Sequence, residues 1–114
     1  SLARSVVAGR PVELTAITSI ATSLGATRVC DQAFSWSQKH PLHNVVVSDR
    51  AAVTACLKFI EDQRIVVEPA CGASLAAVYD RAPALEEYDS VLVVVCGGVT
   101  TTVARLQEWS NKLA

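Results

Sequence analysis

Val91-Leu92-Val93-Val94-Val95-Cys96-Gly97-Gly98 reads as a strand that ends in a turn. The apolar run has no polar alternation, as expected of a central parallel strand covered on both faces. It is far too short to span a bilayer. Gly97-Gly98 closes the run and allows close backbone approach at its carboxyl end. In open α/β sheets, ligands bind beyond that end of the strands.

Working backward, Ile65-Val66-Val67 is a second β-branched run leading into Glu68-Pro69. Proline suits a first helical position because its missing N–H would be unpaired there. The segment that follows, from Ala70 to Tyr79, is almost all small residues, so this helix packs closely against its neighbours on most sides. Val45-Val46-Val47 is a third β-branched run. Ser48-Asp49 then supplies a helix cap and a negative first turn. The helix after it places Ala52, Val53, Cys56, Leu57 and Ile60 on one face.

After Gly98, Thr100 or Thr101 is expected to cap a last helix, with Val103, Leu106, Trp109 or Ser110, and Leu113 as its apolar face. The first 43 residues are less regular: a turn at Gly9-Arg10-Pro11, a short helix within Thr18–Ser23 ended by Leu24-Gly25, and a helix over Asp31–Lys39. Strands alternating with helices give an α/β class, with parallel strands and flanking helices. Only two or three strands are visible, fewer than a doubly wound sheet normally uses.

Half of the 114 residues are hydrophobic (51%). A small domain has too high a surface-to-volume ratio to hide that much apolar surface, so part of it is expected to face another domain or subunit. The sequence has no methionine and opens Ser1-Leu2-Ala3-Arg4, which reads as a processed chain or a fragment. Net charge is -1, and the basic residues are scattered, so no nucleic-acid partner is expected. No segment suggests a membrane span. Cys30, Cys56, Cys71 and Cys96 are too far apart for a Cys-x-x-Cys pair. They read as reduced, buried thiols of a cytoplasmic protein.

Two segments carry candidate chemistry. Cys96-Gly97-Gly98 is either an ordinary strand-to-helix turn beside a core thiol or the wall of a ligand pocket. Pattern alone favours the turn. Glu68 either caps its own helix or lines an active site, and pattern alone favours the cap. His40 and His43 flank Pro41 with no carboxylate nearby and read as solvent-exposed.

Taken together, Val67 to Tyr79 and Val93 to Gly98 resemble the C-terminal part of the L-serine dehydratases (L-serine ammonia-lyases), as do Ile17–Ala21, Leu24–Ala26 and Val47–Asp49. The resemblance is collinear over nearly the whole chain. It implies the fold-type II architecture of pyridoxal-phosphate enzymes, with residues 1–114 as the C-terminal portion of the large cofactor-binding domain. It implies conversion of L-serine to pyruvate and ammonia, or of L-threonine to 2-oxobutanoate, by a homodimer.

The same resemblance implies particular contacts. Cys96, with Gly97, matches the cysteine facing the pyridine nitrogen of the cofactor. A thiol is a weak hydrogen-bonding partner, so it draws less charge onto the ring than a carboxylate would. That suits β-elimination, where the hydroxyl leaves promptly. Leu24 and Ala26 match carbonyl ligands of a monovalent cation, potassium, and Ser1 looks like a third. Oxygen-only coordination fits a hard cation.

No catalytic residue is carried over. The only lysines are Lys39, Lys58 and Lys112, and none lies in the family's Ser-x-Lys-x-Arg-Gly type of context. The glycine-rich phosphate loop and the asparagine facing the ring hydroxyl have no counterpart, so a missing upstream half is expected to supply them. After Gly98 the family commonly has Ser-Asn or Asn-Asn, whereas Val99-Thr100 stands here, which leaves open any polar contact from those positions. A competing reading is a non-enzymatic α/β module that binds a partner or small ligand. The lack of the catalytic motifs favours it, and the retained Cys96-Gly97-Gly98 argues against it.

Overall fold

The computed structural model describes residues 1–114. Five α-helices carry the chain: α1 (Leu2–Ala8), α2 (Asp31–Ser37), α3 (Asp49–Gln63), α4 (Pro69–Tyr79) and α5 (Val103–Lys112). Two 3-10 turns, Thr22–Leu24 and Pro83–Leu85, punctuate the connections.

The centre of the molecule is the packing of α3 on α4, with α5 laid against α3. The helix starts follow from local chemistry. Ser48 caps α3, its hydroxyl accepting from the N–H of Ala51 at 3.1 Å. Pro69 occupies the first turn of α4. Arg64 ends α3 in the left-handed region (φ 61°), one of two non-glycine residues with positive φ. Ala55, Cys56, Val67, Cys71, Leu75, Ala76 and Leu106 form one buried cluster. The α3 face read from the sequence lies inward, with Ala52, Val53 and Cys56 buried. Burial pushes the Cys56 thiol up to about 12, so it stays a neutral, apolar packing group.

Gly72 is what allows α4 to lie so close. A Cβ there would come within 2.5 Å of Cys56 Sγ and nearer still to the carbonyl oxygen of Ala52. The small residues of this segment predict close packing, and Gly72 is where that packing is tightest. Its purpose is close approach.

The expected parallel strands do not pair with one another. The three valine-rich runs form neither strand nor helix, and the only bridge in the chain is the isolated antiparallel pair Glu13–Arg28. Residues 91–96 make no backbone hydrogen bonds, and the one bond tying this region to the 65–68 run is Glu68 N–H to Gly97 C=O, 2.9 Å. A parallel ladder needs adjacent strands at about 4.8 Å spacing over several residues. The runs of this chain do not supply such neighbours to one another. Many of their side chains are exposed, Leu92 92% and Val94 72% accessible, while Val67 is fully buried in the core. Only 17 of 114 residues are buried, so much of the apolar content lies at the surface, as composition led us to expect.

Smaller corrections concern ends and caps. The N-terminal helix α1 was not anticipated, and the Gly9 turn is its left-handed C-cap (φ 65°). Ser5, fully buried, satisfies itself locally: its hydroxyl donates to Ser1 C=O at 3.0 Å and accepts from the N–H of Val12 at 2.9 Å. The short helix near Thr18–Ser23 is one 3-10 turn at Thr22–Leu24. Helix α5 is capped by Thr102, whose hydroxyl accepts from the N–H of Arg105 at 3.2 Å, and not by Thr100 or Thr101. Cys30 and Cys96 are exposed, and only Cys56 and Cys71 are buried; all four are free thiols. Both histidines are exposed as expected, with His40 stacked on Trp36. No helix is long and apolar enough to cross a membrane.

Candidate functional site

Two neighbouring clefts lie beside α4, one lined by Glu68, Pro69 and Ala70 and the other reaching Ala73. The turn Cys96-Gly97-Gly98 lines neither of them. Gly98 rests on the 66–67 backbone, where a Cβ would lie 2.8 Å from the Val66 carbonyl carbon and 2.9 Å from Val67 Cα. Gly97 adopts φ 141°, a conformation that disfavours side chains, and its open side meets nothing within 4 Å. Cys96 stands exposed beside it. Partial desolvation, with the Cys71 thiol alongside, raises the Cys96 thiol above its ordinary range. It is therefore a neutral thiol at physiological pH.

This geometry suits a flat aromatic ring. The turn presents an unobstructed face, and a neutral Sγ stands at its edge. The turn thus leaves room for a flat ligand beside Cys96 and Gly97.

Glu68 lies immediately beneath that turn and is 8% accessible. It is the N-cap residue of α4, but its carboxylate makes no cap bond to its own helix. It accepts instead from the hydroxyl of Thr100 at 2.5 Å. Hydrogen bonding from Ser23, and then from Thr100, holds the carboxyl below the usual glutamate range. Ser23, Glu68, Thr100, Arg105 and Trp109 line a cleft of about 370 Å³.

The second cleft, about 570 Å³, brings Ser1, Leu24 and Ala26 to one place, together with Asp49. Gly25 is held there by tight packing: a Cβ would sit 2.8 Å from both Ile17 Cγ2 and the Thr22 carbonyl oxygen. The Leu24 carbonyl accepts from Ala26 N–H at 3.0 Å, and that of Ser1 accepts from Ser5 N–H at 2.9 Å. Each carbonyl has two lone pairs, and Ser1 also accepts from the Ser5 hydroxyl. Leu24 and Ala26 therefore retain more capacity for a cation than Ser1 does.

Asp49 anchors the segment that leads into this cleft. It accepts from Ser19 Oγ at 2.5 Å and from Ile20 N–H at 3.1 Å. The sequence showed Asp49 only as a first-turn acid, because its partners lie about thirty positions away along the chain. Asp49→Ala would leave the Ile20 N–H and the Ser19 hydroxyl without their acceptor. The expected loss is about 1–3 kcal/mol, read as a lower urea midpoint with an unchanged slope. An unchanged midpoint would show that these bonds contribute nothing.

Of the residues singled out from sequence, Cys96 and Gly97 lie together on one turn, and Ser1, Leu24 and Ala26 share the adjoining cleft. His40 and His43 join neither site. Thr100 and Ser23 had no signal as partners of Glu68, beyond Glu68 being an acid between an extended run and a buried helix. Among the lysines, Lys58 sits over the Tyr79 ring at 4.4 Å and Lys112 pairs with Glu108 at 2.6 Å. No cluster of His, Cys, Asp and Glu is arranged to hold a metal through side chains.

The family model described as "Pyridoxal-phosphate dependent enzyme" matches residues 1–97, and the chain belongs to that family. It is 43% identical over 96% of its length to the L-serine dehydratase/L-threonine deaminase of Bos taurus. It is 36% identical over 91% of its length to the catabolic L-serine/threonine dehydratase of Saccharomyces cerevisiae. The solved structure of a fungal L-serine ammonia-lyase from Rhizomucor miehei aligns over 98% of this chain with a TM-score of 0.88 and 35% identity. The chain spans 36% of the bovine relative and 37% of the fungal structure. The resemblance read from sequence is thus borne out by its relatives.

Proposed function

We propose that residues 1–114 form the C-terminal portion of the large cofactor domain of a pyridoxal-phosphate-dependent L-serine/L-threonine dehydratase. The product would be pyruvate or 2-oxobutanoate, with ammonia. The observation that carries this reading is the open Cys96–Gly97 turn. Its exposed thiol and unobstructed glycine face leave room for the edge of a cofactor ring.

Bound pyridoxal phosphate would supply the electron-withdrawing ring that makes loss of a β-hydroxyl from an amino acid feasible. The chain's own residues do the holding. Cys96 offers the ring nitrogen a neutral hydrogen-bonding partner, which leaves that nitrogen without the full charge a carboxylate would impose. Gly97 leaves space for the ring's edge. Carbonyls of Leu24, Ala26 and Ser1 hold a potassium ion in the second cleft. An upstream half of the protein supplies the cofactor-bonding lysine and the phosphate loop. Its strands pair with the exposed runs at 45–47, 65–67 and 91–96, completing the parallel sheet. The TM-score of 0.88 supports this, since the chain follows the path of a complete enzyme of that fold. A homodimer in the cytoplasm is the assembly we infer.

The test compares the 114-residue chain with the protein extended upstream, each incubated with pyridoxal phosphate. The extended protein is expected to develop visible cofactor absorbance and to release pyruvate from L-serine or 2-oxobutanoate from L-threonine. The short chain should release neither. Turnover by the short chain would sink the placement of the lysine upstream, and absence of cofactor binding by the extended protein would sink the reading as a whole.

A further inference from the structure

We propose that Asp49 is a positioning residue for the reaction: through Ser19 and Ile20 it clamps segment 19–24, the partition between the two clefts, and so sets the wall of the cleft that adjoins the Cys96–Gly97 turn; this rests on the functional reading above.

The residues of segment 19–24 divide between the clefts. Ile20, Thr22 and Ser23 line the cleft of Glu68, while Ser19, Ala21 and Leu24 line the other. One short stretch is therefore a wall common to both. The cleft of Glu68 adjoins the Cys96–Gly97 turn, because Glu68 in its lining donates its backbone N–H to Gly97 C=O at 2.9 Å. The partition has little regular structure of its own beyond the 3-10 turn Thr22–Leu24, which packs against α4. Upstream of that turn, the N–H groups of Ile20 and Ala21 go to side chains. Asp49 holds them with both oxygens. Oδ1 accepts from Ser19 Oγ at 2.5 Å, and Oδ2 accepts from Ile20 N–H at 3.1 Å. Ser19 Oγ in turn accepts from Ala21 N–H at 3.0 Å, so the clamp extends over Ser19, Ile20 and Ala21. Asp49 is itself fixed as the first residue of α3, behind the Ser48 cap, where the helix end favours a carboxylate.

Charge-assisted bonds of this kind are short and directional. Two of them from one carboxylate fix both the place and the tilt of the backbone at Ser19–Ile20. Ile20, Thr22 and Ser23 then meet a bound ligand as a preset wall. Sites of this kind depend on the residues that support them, and a misplacement of about 1 Å costs up to roughly 100-fold in rate. A residue needed only for stability would lower the melting temperature and leave the surroundings of the cofactor unchanged in the folded protein.

The experiment uses the full protein that carries this chain, loaded with pyridoxal phosphate. Free pyridoxal phosphate is achiral, so its visible circular dichroism when bound reports the asymmetry of the walls around it. Ellipticity per bound cofactor, and kcat and KM for L-serine, are measured for the wild type, Ser19→Ala, Ser19→Thr and Asp49→Ala. Ser19→Ala removes one arm of the clamp and keeps the bond from Ile20 to Asp49. It is expected to change the ellipticity per bound cofactor and to lower kcat roughly 10- to 100-fold. Asp49→Ala should do so further, and Ser19→Thr, which keeps the hydroxyl, should restore both. Thermal midpoints of the cofactor-free variants check folding, and Ser19→Ala decides by itself if Asp49→Ala does not fold. Wild-type ellipticity or wild-type kcat in folded Ser19→Ala overturns the proposal and leaves the functional reading standing. So does a failure of Ser19→Thr to restore them, or a Ser19→Ala variant that does not fold, since the hydroxyl would then be purely structural. A wild type that binds no cofactor overturns the functional reading and the proposal with it.

Discussion

Gly72→Ala is expected to destabilise the protein by about 2 kcal/mol, against the direction that helix propensity gives. Alanine in place of glycine inside a helix is worth about 1 kcal/mol of stabilisation on propensity alone. Here the new methyl group would meet Cys56 Sγ at 2.5 Å and lie closer still to the Ala52 carbonyl oxygen. Ala52 belongs to the α3 backbone, which cannot rotate away as a flexible side chain does. The helices must separate, and overpacking of this kind costs about 1–3 kcal/mol and occasionally more. The interface at stake is the most extensive in the molecule, so the penalty should sit at or above the upper end of that range. The measurement is the urea or thermal midpoint, and at this size about 2 kcal/mol corresponds to a drop of roughly 5–15 °C. A raised midpoint would show that α3 and α4 adjust freely.

Leu106→Ala is expected to cost about 3 kcal/mol, within the range for truncating a fully buried leucine. Leu106 is the one buried residue of α5 and is wholly inaccessible. It joins the cluster of Ala55, Cys56, Cys71 and Leu75, and Trp109 packs against the same cluster from the next turn. The opposite face of α5 is held only by exposed ion pairs of Glu108 with Arg105 and Lys112, which contribute little individually. Removing the leucine therefore removes most of what docks α5. Besides the lower midpoint, amide exchange should rise across Val103–Lys112 before it rises in α3. If exchange rose equally everywhere, α5 would not be a separately docked element.

Several elements were legible because the signals are local. Ser48-Asp49 at the start of α3, Pro69 at the start of α4 and the 3.6-residue apolar spacing of α3 and α5 are decided within one or two helical turns. Gly97-Gly98 at a break was also visible. Helix α1 was missed because Ser1–Gly9 has weak amphipathic spacing, and its buried residue is Ser5, a polar one. The cap of α5 was misplaced by one or two residues because three threonines stand in a row. Which one caps depends on Thr100 being drawn away to Glu68, a partner thirty-two positions distant.

The candidate site divides the same way. Cys96, Gly97, Leu24 and Ala26 were reached through resemblance to a family, and the residues that support them were not. Glu68 was read as a cap because local chemistry is all that a sequence offers about an acid before a helix. The fold gave its carboxylate to Thr100, and gave that of Asp49 to Ser19 and Ile20.

By itself the sequence determined where α3 and α4 begin and which face α3 buries. These follow from backbone sterics and side-chain patterning within a few residues. The tertiary structure alone decided that the valine runs of this chain do not pair with one another, that Gly72 is the contact point of α4 on α3, and that the Glu68 carboxylate bonds Thr100. Those outcomes depend on which distant groups arrive within bonding distance, which hydrogen-bond geometry and packing settle only in three dimensions.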